Sequence, residues 1–142
     1  MFAAIKNWLA NLHKLPESQM AEFRSEGLIL IHEWIKAKLT YLNFKAPGKR
    51  FGYKTVWFKS FLVVTKTRVW ATSFGKLAIN VPFTDERIRS MKFSVENGER
   101  LLVSFDASLF QPTWSGTLEY RFTIPDAQNC LDMITTEIAA NG

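Results

Sequence analysis

At Gly27 the chain changes from a helical to a strand-like pattern, and this change limits the possible folds more than any other feature. Before it, Phe2, Ile5, Trp8, Leu9 and Leu12 recur at three- and four-residue steps, the spacing of one stripe on a short amphipathic helix that Pro16 ends. Glu17 to Ser25 predicts a second short helix, with Met20 and Phe23 on one side and Gly27 available to stop it in the left-handed conformation. From Leu28 onward β-branched and aromatic residues dominate, and turn residues recur at the rhythm of an antiparallel meander. The pattern predicts strands at roughly 29–44, 53–65, 67–73, 77–82, 90–96, 100–106 and 116–124.

Two segments are specified most tightly. In Phe93–Phe105, Asn97-Gly98 supplies the positive φ angles of a hairpin turn, so Phe93 and Val95 share a face with Leu101, Val103 and Phe105. In the last strand Leu118, Tyr120, Phe122 and Ile124 alternate inward with Glu119 and Arg121 outward, the signature of a sheet wetted on one side only. Such a sheet needs a cover. The expected one is a C-terminal helix opening at Thr123 or Ile124, with Pro125 in its first turn, Asp126 at the positive end of its dipole, and Ala127, Cys130, Leu131, Ile134 and Ile138 as its apolar stripe. The expected fold is mainly β with helices: a bent seven-stranded antiparallel sheet or partly open barrel, capped by a C-terminal α-helix and preceded by short N-terminal helices. Residues 1–26 form a helical extension and 27–142 the domain proper.

The length of 142 residues and a 47% hydrophobic content suit one core. The single cysteine, Cys130, excludes an internal disulfide, and with only His13 and His32 beside it no zinc-ligand cluster can be assembled; no metal or cofactor is expected. Lys6, Asn7 and Asn11 interrupt the N-terminal apolar run, and no segment approaches the length of a membrane span, so the expected location is cytoplasmic or peripheral at a membrane.

Charge is unevenly placed along the chain. Trp34 to Thr84 carries ten basic residues and no carboxylate, whereas Asp85 to Gly142 has nine acids against five bases. A face of one sign attracts phosphate-rich surfaces or acidic partners. Phe51, Tyr53, Trp57 and Phe58 interleave with the bases, but no groove-reading helix or RNA-binding signature accompanies them, and burial on alternate strand positions explains Trp57 and Phe61; a nucleic-acid partner is not expected. Catalysis finds little support. His32 and Glu33 are adjacent on a strand and point apart, while Asp85-Glu86 after Pro82 suit a solvated or helix-starting turn. The main rivals to a binding module are an apolar-ligand carrier or an enzyme built on the same small barrel.

Several local sequences resemble the GRAM and bacterial PH-like branches of the pleckstrin-homology superfold: Glu26-Gly27 before the first strand, Phe61-Leu-Val-Val-Thr-Lys-Thr-Arg-Val-Trp70, and Ile79-Asn-Val-Pro-Phe83 followed by Ile88. The resemblance spans about residues 26 to 138. It implies a non-enzymatic binding or scaffolding module that engages anionic lipid head groups or an acidic protein and assembles into homo-oligomers. It also implies that the loop after the first strand, with Lys45, Lys49, Arg50 and Lys54, offers its bases to an anionic ligand. Phe2, Trp8 and Leu9 of the extra N-terminal helix are the expected oligomer contact.

Overall fold

A computed structural model describes residues 14–141. The expected helix bearing Phe2, Trp8 and Leu9 lies outside the described residues. Helix α1 spans Glu17–Ser25 and ends as expected, with Gly27 at φ +83°. A nine-residue helix gains little from propensity alone. It is held by Phe23, fully buried and edge-on to Trp70 at 5.1 Å.

The strands are β1 (Leu28–Ala46), β2 (Lys49–Thr65), β3 (Arg68–Ser73), β4 (Lys76–Pro82), β5 (Lys92–Glu96), β6 (Arg100–Asp106) and β7 (Ser115–Thr123). They form one antiparallel sheet in the order β4-β3-β2-β1-β7-β6-β5, which is not closed, since β4 and β5 lie at its two ends. A 3₁₀ turn, Glu86–Ser90, takes the start of the expected strand at 90. Asp85 caps it, accepting from the Arg87 backbone N–H at 2.9 Å, which is the helix-starting role expected of this acidic pair. A second 3₁₀ turn, Ala107–Leu109, follows β6.

The bend of the sheet is built into β1. Its first half pairs with β2 alone, while Ala37 to Lys45 is shared between β2 and β7. Register shifts fall between His32 and Ile35 on the β2 side and between Leu42 and Lys45 on the β7 side, where Trp34 and Asn43 adopt positive φ. Bulges of this kind turn a strand and increase its twist. The β5–β6 hairpin turns at Asn97 and Gly98, both at positive φ, and pairs Val95 with Leu101 and Phe93 with Val103 as the sequence requires.

Helix α2 (Ala127–Ala140) packs on the β5–β6 end. Two details depart from expectation. Asp126 is the cap itself, in the left-handed region at φ 52°, with its carboxylate accepting from Asn129 N–H at 3.3 Å, so Pro125 precedes the helix instead of lying in its first turn. A short acid tolerates that conformation and satisfies an N–H that would otherwise be orphaned. The stripe is also narrower: Ala127, Cys130 and Ile134 are buried in the main core, but Leu131 and Ile138 are only half-buried at its margin.

A second, smaller core lies on the outer side of the sheet. Leu15 and Phe23 pack there on Phe61, Val63 and Trp70. This half of β2 is therefore covered on both faces, and Phe61 to Thr65 is buried without interruption.

Candidate functional site

On β2, Tyr53, Thr55, Trp57, Lys59, Phe61 and Val63 alternate onto the outer face of the sheet. Helix α1 and Leu15 cover Phe61 and Val63 and stop there, leaving Trp57 51% and Tyr53 71% exposed. Trp57 is thus not a core residue, contrary to the alternation reading; it shares a face with Phe61, but among the described residues only one end of that face has a lid.

Across the ladder Lys59 stands opposite Lys36 and Trp57 opposite Lys38. The Lys36 and Lys38 ammonium groups lie 4.9 and 5.1 Å from the centre of the Trp57 ring. Each such contact at an exposed site is worth about 0.5–1 kcal/mol. The uncovered outer face is therefore a basic and aromatic ribbon built on two long paired strands.

The expected loop of Lys45, Lys49, Arg50 and Lys54 does not exist as a loop. Strands β1 and β2 pair up to Ala46 and Lys49, leaving a two-residue turn at Pro47 and Gly48, with Gly48 at φ +77°. Lys45 and Arg50 face each other at the tip, and all four bases are exposed. They do not form one cluster. Lys54 pairs with Tyr41 on the opposite face from Trp57, where its ammonium lies 4.3 Å from the Phe51 ring. The outward bases that the sequence reading passed over are Lys36, Lys38 and Lys59; alternation along 53–59 was the available signal.

Among the described residues, nine of the ten bases between Trp34 and Thr84 form no ion pair, and the tenth, Arg68, is structural. Its guanidinium donates to both Glu26 oxygens at 2.9 and 2.7 Å, to Glu22 at 3.0 Å and to Asn80 at 3.1 Å. Glu26 Oε1 also accepts from Thr65 and Thr67 hydroxyls at 3.0 and 2.7 Å. Burial alone would raise the Glu26 pKa, but the hydrogen bonds from Arg68, Thr67 and Thr65 outweigh it and hold the carboxyl below its usual range. This network joins α1 to the β2–β3 turn.

The basic ribbon has a definite border. Because β1 is flanked by β7, Glu119 and Arg121 lie beside Thr40 and Lys38. Arg121 pairs with Glu96 at 2.8 Å and Glu119 at 3.1 Å, and it holds the Glu96 carboxyl below its ordinary value, with Arg100 and Lys38 adding to the effect. Charge segregated along the sequence is therefore not fully segregated in space. His32, half-buried in register with Leu62, has its pKa lowered by burial, while the Glu33 carboxylate accepts from Leu15 N–H at 2.9 Å. These two neighbours serve separate surroundings. No helix among the described residues is long and apolar enough to cross a membrane. The chain matches no protein-family model, and no curated protein matches it.

Proposed function

We propose that the protein is a non-catalytic, PH-like binding module whose uncovered outer β1–β2 face docks on an anionic surface. The observation that carries this reading is Trp57, half-exposed on the paired β1–β2 ribbon, with Lys36 and Lys38 against its ring and Lys59 beside it. Tryptophan and tyrosine favour the membrane–water boundary, where an apolar ring and a polar tip are both accommodated. Each basic residue near an anionic bilayer adds about 1 kcal/mol. Lys36, Lys38 and Lys59 support reversible, salt-sensitive attachment. The strand order, the bent shared β1 and the C-terminal helix suit the PH-like resemblance.

Co-sedimentation with phosphatidylcholine vesicles, with and without phosphatidylserine and at two ionic strengths, tests this reading. Binding is expected only to the acidic vesicles and should fall steeply with salt, because the Debye length shrinks from about 10 Å at 0.1 M to about 3 Å at 1 M. Lys36→Glu with Lys38→Glu should abolish it, and Trp57→Ala should weaken it at both salt concentrations. Equal binding to neutral vesicles would refute the electrostatic reading. Salt-sensitive retention on immobilised polyglutamate without vesicle binding would instead select an acidic protein as the partner.

A further inference from the structure

On the inner side of the sheet, where β4 has no further neighbour, a cleft of about 330 Å³ opens between it and the segment from the second 3₁₀ turn to β7. Ile79 and Val81 form one wall, and Phe105, Trp114, Leu118 and Tyr120 form the other. Among the described residues no Lys, Arg, Asp or Glu lines it. Tyr120 is only 7% exposed, and its hydroxyl has no hydrogen-bond partner among the described residues. Among the described residues no side-chain polar atom is both sealed from solvent and unpartnered, so this hydroxyl is reached by solvent, and its residue lines the cleft. Burial pushes the phenol up to about 12, which keeps it a neutral O–H donor across the physiological range.

We propose that the cleft beside β4 binds a small, uncharged, mainly apolar molecule that presents one hydrogen-bond acceptor to the Tyr120 hydroxyl. Apolar walls with a few placed polar groups are the usual make-up of a small-molecule site. At about 330 Å³ the cleft sits at the small end of the usual range of small-molecule pockets, roughly 300–1,000 Å³. A charged ligand is disfavoured because nothing in the walls would compensate its lost hydration. This site is separate from the basic outer face and does not depend on it.

Titration of the full chain with acetophenone, ethylbenzene and benzoate, followed by NMR at the Trp114 indole and Tyr120 ring, tests the assignment. The three probes are similar in shape and differ in carrying a neutral acceptor, none, or a charge. Saturable shifts are expected with acetophenone, weaker binding with ethylbenzene, and least with benzoate. Tyr120→Phe removes only the hydroxyl and should weaken acetophenone roughly three- to tenfold, the range of one net hydrogen bond, while leaving ethylbenzene unchanged. Leu77→Ala, at a 55% exposed rim position, should weaken both neutral probes without disturbing the core. The proposal is overturned if no probe saturates these resonances, if Tyr120→Phe leaves acetophenone affinity intact, or if benzoate binds tightest. Shifts confined to the backbone amides of β4 would assign the edge to strand addition and overturn it equally.

Discussion

Gly116 has no room for a side chain. It sits in β7 at φ +99°, and a Cβ placed there would lie 2.4 Å from the Asn43 carbonyl oxygen, a backbone atom that cannot swing aside. Asn43 is itself at positive φ, in the bulge where β1 shifts register against β7. Gly116→Ala should therefore cost about 2–4 kcal/mol, combining strain at an unfavourable φ with backbone collision. Gly52→Ala is the control, since no atom lies within 4 Å of an added Cβ there, and it should stay within about 0.5 kcal/mol of the parent. Urea melts of the two variants would separate them; equal stability would mean that the β1 bulge relaxes freely. Trp57 and Phe61 carry the same lesson at the surface. They lie on one face of one strand, yet Phe61 is 1% exposed and Trp57 51%. Alternation identifies the face, but whether that face is covered depends on where α1 ends.

Helix α2 was legible as an element, since its apolar spacing and Asp126 mark it, but the ranking of its contacts was not. Ile134 is fully buried while Leu131 is partly exposed, although both lie on the same stripe. Ile134→Ala should cost about 2–5 kcal/mol, the range for truncating a buried aliphatic side chain. Leu131→Ala should cost clearly less, because the margin of the core can collapse or hydrate. Thermal or urea melts decide; similar losses for both would show that the helix buries a wider stripe than its contacts indicate. At the other end, the Glu26–Arg68 network draws on residues 42 positions apart. The sequence resemblance picked out Glu26 and the Thr-Lys-Thr-Arg turn separately. Their meeting needed α1 folded back over the β2–β3 turn.

For the molecule as a whole, the resolved pKa shifts predict a stability plateau. Glu26 and Glu96 are held below their ordinary value of 4.5, so their contribution is complete above that value and is lost as pH falls through the depressed folded-state values. His32, lowered from 6.5 by burial, acts in the same direction, because below 6.5 the unfolded chain takes up the proton first. Tyr120 and Cys130 are both raised to about 12 by burial, so as pH climbs above their ordinary values of 10.0 and 9.0 the unfolded chain loses its protons first and stability declines. Thermal melts across pH should therefore show a plateau between about 6.5 and 9, with losses on both sides. A maximum near pH 4 would contradict the carboxylate contacts.

What the sequence determined by itself was local. The number and order of the strands, the Asn97-Gly98 turn, the stop at Gly27 and the inward set on β7 follow from side-chain period and turn chemistry, which act over a few residues. The glycines and proline between 45 and 54 suggest a loop, whereas cross-strand pairing carries both strands to within two residues of each other. Only the tertiary structure decided which half of the outer face α1 covers, that β1 would lie beside β7 and bring Glu119 and Arg121 against the basic ribbon, and that the sheet would stay open beside β4. Each of these depends on segments far apart in the chain meeting in space, and no local spacing encodes that meeting.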